Sequence, residues 1–253
     1  MTTLIQRIFS AGREGRLWSG MRRRLSDMRL HYVLKKSRGV IHVGANDGEE
    51  RHWYDGYGLK VVWIEPIPDV FERLVENIRD FPDQRAINAL ITNEDGALCT
   101  LHISNNSGHS SSILDLHLHK DIRPEVMFTH DITLRSSRLP TALTEIDLEQ
   151  YDAMVLDTQG SELLILQSAA TILGGFNYIR VEAANFEAYR NCATVDTLST
   201  FLHSHGFRLV DKRLQARGEA GGEYFDLLFK RSRSLEALAI SGANGTINAK
   251  AWR

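Results

Sequence analysis

Short apolar runs recur along the chain, and three of them stop abruptly in small or acidic residues. Val40-Ile41-His42-Val43 runs into Gly44-Ala45-Asn46-Asp47-Gly48, and Val61-Val62-Trp63-Ile64 runs into Glu65-Pro66. Met154-Val155-Leu156 runs into Asp157-Thr158-Gln159-Gly160. Continuous rather than alternating apolar character marks strands buried on both faces of a parallel sheet. Helical spacing appears between them: Val70, Leu74 and Ile78 share one face behind Pro68, which suits a first helical turn. The pattern predicts strands over 39–43, 60–64, 85–91, 98–103, 152–157, 177–182, 207–212 and 224–230. It predicts helices from about 47, through 70–78, over 161–173 with a stop at Gly174-Gly175, and over 194–205 closed by Gly206. Asn93-Glu94-Asp95-Gly96 has hairpin chemistry and predicts a tight turn between two strands.

Strands alternating with helices, then two strands joined by a Gly-rich link at 218–222, describe an α/β fold. The sheet is doubly wound and mostly parallel, with an antiparallel C-terminal strand pair. Such sheets bind ligands beyond the carboxyl ends of their strands, where the strand order reverses. Residues 104–145 fit this scheme least. They open with a Ser/Asn-rich stretch from Ser104 to Ser112, and a long insertion in a compact domain is usually functional. The expectation is a cap over the site, with short strands near 130–135.

Both ends of the chain differ from this body. Leu17, Met21, Leu25, Met28 and Tyr32 form an apolar stripe at helical spacing. Residues 1–38 hold ten Lys/Arg against Glu14 and Asp27, a net of +8, which leaves 20 basic and 30 acidic residues elsewhere, a net of −10. A basic helix of this kind packs on its own domain, packs on a second copy in a homo-oligomer, or makes peripheral contact with a membrane surface. Residues 232–253 read as a poorly ordered polar tail, so the domain proper spans 39–231.

Length and composition suit one large domain. Cys99 and Cys192 make neither a disulfide framework nor a metal cluster and are expected as buried structural thiols. No apolar run approaches the roughly 18 residues of a membrane span, and the N-terminus lacks a secretory pattern, so the expected location is cytoplasmic. Nucleic acid is not expected as a partner, because the body is acidic and Trp18 and Tyr32 form no stacking platform.

The candidate chemistry lies at the strand ends. Gly44 and Gly48 follow G-x-x-x-G spacing, which is neither the dinucleotide fingerprint G-x-G-x-x-G nor a P-loop, and which argues for S-adenosylmethionine. Glu65, at the next strand end, is placed to accept both hydroxyls of a ribose. Asp157 can bind a metal, hold the amino group of a methyl donor or position a substrate; it also suits a helix N-cap. Glu182 ends the following strand and faces the same crevice, so Asp157 and Glu182 together are the candidate ligands for Mg²⁺. Glu162 reads as a partner of the helix dipole.

Gly44-Ala45-Asn46-Asp47-Gly48, Ile64-Glu65-Pro66, the serines at 107–112, Asp157-x-Gln159-Gly160-x-Glu162-Leu163 and His205-Gly206-Phe207 occur in that order. As an ordered set the chain resembles the FkbM-type S-adenosylmethionine-dependent methyltransferases over about 39–231. The resemblance implies a class I methyltransferase (Rossmann-like) fold with a seven-stranded sheet. It also implies O-methylation of a hydroxyl on a sugar, glycan or polyketide-type small molecule. By the same resemblance, Gly44, Ala45, Asn46 and Gly48 line the methionine moiety, Glu65 binds the ribose, and Ala89–Asp95 lies near the adenine. His42 stands where many members carry an acidic residue and is counted with the cofactor-binding residues. Gln159 replaces a common Glu. A hydroxyl acceptor needs a general base or a metal; His109 and His130 are the base candidates, followed by His42. The alternatives are an NAD(P)-dependent oxidoreductase and a non-catalytic nucleoside-binding scaffold.

Overall fold

The computed structural model describes residues 33–219 and 221–232. The expected apolar helix face at Leu17–Tyr32 and nearly all of the expected tail lie outside them. Ten strands are described: β1 (Gly39–Val43), β2 (Lys60–Glu65), β3 (Gln84–Asn88), β4 (Leu90–Ile91), β5 (Leu98–Ser104), β6 (Phe128–Ser137), β7 (Ala153–Leu156), β8 (Tyr178–Ala184), β9 (Phe207–Arg217) and β10 (Glu223–Arg231). The helices are α1 (Arg51–Gly56), α2 (Pro68–Ile78), α3 (Leu139–Ala142), α4 (Glu162–Ser168) and α5 (Val195–Ser204).

Among the described residues the main sheet has seven strands in the order β3-β2-β1-β7-β8-β10-β9. The first five are parallel, and β10 lies antiparallel between β8 and β9. This is the expected α/β architecture with its antiparallel C-terminal pair. The strand order turns between β1 and β7, where Val43 pairs with Leu156. That switch opens a crevice at their carboxyl ends.

Alternation along each strand sorts its side chains between two cores. Ile41, Val43, Val62, Ile64, Met154 and Leu156 join the cluster that holds Leu166 of α4 and Leu198 of α5. Val40, Val61, Trp63, Ala153 and Val155 join the other, with Tyr54 of α1 and Leu74 of α2. Helices therefore cover both faces of β1, β2 and β7, which is why their sequences are apolar without a break. On β8 the second face turns polar. Ile179, Val181 and Ala183 stay in the first core, so alternation turns Arg180 and Glu182 to the opposite side.

The structure corrects several boundaries. The expected strand 85–91 breaks at Ala89, and β4 leaves the main sheet for a three-stranded one ordered β4-β6-β5. The expected hairpin at 93–96 does not pair its flanking strands. Instead β6 lies between them, parallel to β4 and antiparallel to β5, and Gly96 N–H donates to Ser136 O at 2.7 Å. β6 is ten residues long and reaches both neighbours, a good deal more than the short strands expected near 130–135. The helix expected over 161–173 ends at Ser168, with a separate turn of 3₁₀ helix at Leu173–Gly175. Cys99 and Cys192 are free thiols and only partly buried.

Candidate active site

The crevice is built from three strand ends. After β1, Gly44 adopts φ +81°, and a Cβ there would stand 1.8 Å from the carbonyl oxygen of Asp157. Only glycine permits the loop after β1 to lie this close to the end of β7. Asn46 follows with φ 45°. Its N–H donates to Glu65 Oε2 at 2.9 Å, and Ile67 N–H donates to Oε1 at 2.9 Å. Two backbone donors thus fix a carboxylate that is 4 % exposed, and each oxygen keeps a lone pair for a further donor. Burial pushes the Glu65 carboxyl up to about 7, against the pull of those two hydrogen bonds and of Arg73.

A cleft opens here, with Gly44, Asn46, Glu65, Ala89 and Asp157 in its walls. Three residues expected here are placed elsewhere. The Ala45 side chain is buried in the core beneath α1 and α2. Gly48, at φ +76°, is a turn against α2, where a Cβ would meet Leu74 Cδ1 at 2.8 Å. His42 is 3 % exposed, stacks on Trp63 at 5.0 Å and pairs its Nδ1 with Tyr54 OH at 3.2 Å. Burial and, after it, Arg180 lower its pKa to about 3, so it is a neutral core histidine. Strand alternation alone puts position 42 on the α1 face.

The third wall is the loop after β7. Glu162 is 2 % exposed, and its Oε1 accepts from Thr158 N–H, Gly160 N–H and Thr158 Oγ1 at 2.9, 3.1 and 3.1 Å. It closes the loop on itself, a larger part than that of a dipole partner. Gln159 takes φ 55° and donates through Nε2 to Asp157 Oδ1 at 2.6 Å. Its own Oε1 lies 2.9 Å from the Tyr189 hydroxyl. Gln159 therefore orients Asp157 with a neutral amide donor, which a Glu would not supply.

Glu182 stands beside Asp157. Burial first, then the Asp157 charge and a hydrogen bond to it, holds the Glu182 carboxyl well above the usual carboxylate range. Among the described residues, no group of three or more His, Cys, Asp or Glu is placed to hold a metal ion. The expected Mg²⁺ at Asp157 and Glu182 finds no support in such a group.

A second cavity, of about 440 Å³, adjoins the cleft. The two share His109, Asp157 and Gln159. His109 is exposed at this junction. His130 is not there: it lies exposed on β6, opposite Ile103, beside Thr129 Oγ1 at 3.0 Å. Arg180 and Asp226 line the second cavity, with Nη2 and Nε of Arg180 at 2.8 and 3.2 Å from Asp226 Oδ1. Burial opposes the Arg180 charge, but Asp226 outweighs it and keeps the guanidinium charged. One residue of this cavity escaped the sequence reading. His119 sits in Leu116-His117-Leu118-His119, and no motif distinguishes it.

A family model described as the Methyltransferase FkbM domain matches residues 42–209, more than half of the chain. The chain belongs to the FkbM methyltransferase family. The match runs from β1 into β9 and takes in the ends of β1, β2 and β7 that form this methyltransferase's cleft. No curated protein matches it. Solved structures do. A putative sarcosine dimethylglycine methyltransferase from Galdieria sulphuraria is 10% identical with a TM-score of 0.48, over 89% of this chain and 88% of that one. The 1,6-didemethyltoxoflavin-N1-methyltransferase of Burkholderia thailandensis, bound to S-adenosylhomocysteine, is 13% identical with a TM-score of 0.45, over 90% and 86%. Magnesium protoporphyrin IX methyltransferase from Synechocystis, with bound S-adenosylmethionine, is 10% identical with a TM-score of 0.45, over 92% and 86%. S-adenosylmethionine is the methyl donor that membership of the family implies. Among the described residues, no helix is long and apolar enough to cross a membrane.

Proposed function

We propose that the protein transfers the methyl group of S-adenosylmethionine to a hydroxyl of a sugar, glycan or polyketide-type acceptor. The observation that carries this reading is the buried Glu65 carboxylate, held open-handed by two backbone donors at the end of β2. A ribose diol is the ligand such a carboxylate suits. Gly44 and Asn46 then flank the methionine portion of the donor, and Ala89 the adenine. Asp157, in the wall of the same cleft, holds the donor's amino group or positions the acceptor.

Methyl transfer is an in-line displacement: the acceptor oxygen forms a bond to the methyl carbon as the sulfonium–carbon bond breaks. The protein must align the two reactants and take the hydroxyl proton. His109 is the candidate base at the junction of the two cavities. It is a lining residue of both, as a base acting between donor and acceptor would be. His130 has no such position. The G-x-x-x-G spacing and the family membership both stand against the NAD(P)-dependent oxidoreductase.

Calorimetric titration with S-adenosylhomocysteine tests this reading. Micromolar binding is expected, weakened about 30- to 100-fold in Glu65→Ala, which removes hydrogen bonds to a charged acceptor worth about 2–3 kcal/mol. Well-folded protein that binds no S-adenosylhomocysteine would overturn it.

A further inference from the structure

Tyr189 stands behind the loop that carries Asp157. It is 1 % exposed and is in the wall of neither the cofactor cleft nor the second cavity. Its backbone is tied down on both sides. Ala188 O accepts from the N–H groups of His117 and His119 at 3.0 and 2.9 Å, and Arg190 N–H donates to Asp115 O at 2.9 Å. The ring lies against that of His119, with centroids 5.1 Å apart. The loop after β7 presses close from the other side: a Cβ on Gly160 would stand 3.4 Å from Tyr189 Cβ.

The hydroxyl so placed has two acceptors within reach, Gln159 Oε1 at 2.9 Å and Ser110 O at 3.3 Å. It has one proton to give. Burial first, then the charges of Asp157, Glu162 and Glu182, pushes its pKa above the ordinary tyrosine value, so the proton stays on. Asp157 decides between the two acceptors. A carboxylate only accepts, so the Gln159 amide turns Nε2 to Asp157 Oδ1, 2.6 Å away, and is left with Oε1 facing Tyr189. Two oxygens at 2.9 Å need a proton between them. The hydroxyl therefore donates to Gln159, and Gln159 to Asp157. The backbone of Gln159 is held separately, by Ser112 Oγ donating to its carbonyl at 2.7 Å. Removal of the Tyr189 hydroxyl thus leaves the loop anchored but its amide oxygen without a donor, and frees the amide to turn away from Asp157.

We propose that Tyr189 is a positioning residue, which acts through the Gln159 amide to aim Asp157 at the amino group of S-adenosylmethionine. The proposal rests on the methyltransferase reading. Of the two parts open to Asp157 it takes the donor's amino group, because the end of β7 lies against Gly44, where a Cβ would stand 1.8 Å from Asp157 O.

The test uses the full chain with Tyr189→Phe, Gln159→Leu and the two combined. Affinity for S-adenosylhomocysteine is read by calorimetry, and the Gln159 side-chain amide by ¹H–¹⁵N spectra, its signals being those that vanish in Gln159→Leu. Tyr189→Phe keeps the ring and is expected to weaken S-adenosylhomocysteine about three- to tenfold, the worth of one neutral hydrogen bond. It is also expected to shift the Gln159 amide signals. The combined variant should bind within about twofold of Gln159→Leu alone, because residues acting through one contact do not add. Unchanged affinity in Tyr189→Phe, or losses that add in the combined variant, would overturn the proposal. So would an unmoved Gln159 amide with a shifted Ser111 backbone amide, the signature of a tyrosine that serves only the Ser110 carbonyl. Should Tyr189→Phe fail to fold, the buried hydroxyl proton of Tyr189 is followed instead: it must move in Gln159→Leu, and a signal that stays overturns the proposal. Failure of wild type to bind S-adenosylhomocysteine would sink the methyltransferase reading itself, a separate result.

Discussion

Glu65 shows how one residue makes donor binding depend on pH. A ribose diol donates to a carboxylate, so binding needs the ionised form. Burial raises the folded pKa from 4.5 to about 7. In the free protein, the neutral acid is therefore the favoured form below about pH 7. The stability this contributes is fully present below about 4.5 and is lost as the pH rises through about 7. A bound donor reverses the preference, because its hydroxyls answer the charge. The rise in melting temperature caused by S-adenosylhomocysteine is thus expected to be larger at pH 8 than at pH 6. In Glu65→Gln that difference should vanish; thermal denaturation at the two pH values, with and without ligand, would show it. An equal shift at both pH values in wild type would mean that another group governs binding. Residues of this kind differ in how far the sequence announces them. Glu65 and Asp157 end conspicuous apolar runs, so their place was legible. His119 was not, because its chemistry comes from a cavity wall and from Tyr224, 105 residues away in the chain.

At the scale of elements, uninterrupted apolar runs located β1, β2 and β7, since helices cover both of their faces. The resemblance drew His42 into the cofactor site because many members carry an acidic residue there, although alternation had already committed that position to the core. The β4-β6-β5 sheet was hidden for a different reason. β4 is two residues long and pairs with a strand more than forty residues later, and no local pattern encodes such a pairing. The loop after β7 is likewise held by something its turn residues do not reveal. Thr158 and Gly160 depend on the buried Glu162 carboxylate. Glu162→Ala would leave two backbone N–H groups without their acceptor and cost about 2 kcal/mol. For a domain of this size that lowers the melting temperature by roughly 4–8 °C. Calorimetry should also show weaker S-adenosylhomocysteine binding, since Asp157 hangs from the same loop. A melting temperature within 1 °C of wild type would show that the turn residues hold the loop unaided.

For the whole molecule, the division of charge matters more than its sum. Residues 1–38 carry +8 and the remainder −10. We propose that the basic segment attaches the protein to anionic membrane surfaces. Each Lys or Arg near such a surface is worth about 1 kcal/mol at low salt and less as salt screens it. Sedimentation with vesicles containing phosphatidylserine is expected to carry down the full chain but not a variant lacking residues 1–38, and the effect should fade at high ionic strength. Equal sedimentation of both forms would remove this role from the segment.

The common wall of the two cavities has a thermodynamic consequence. His109, Asp157 and Gln159 face both spaces, so whatever fills one alters the surface presented to the other. The two binding equilibria are then coupled, and coupling free energy is reciprocal. If the sulfonium of the donor changes acceptor affinity by some factor, the acceptor changes donor affinity by that same factor. The demethylated cofactor lacks the sulfonium charge, so the factor it carries is its own. The protein therefore has, in these three side chains, a means of distinguishing a productive pair of ligands from a spent one.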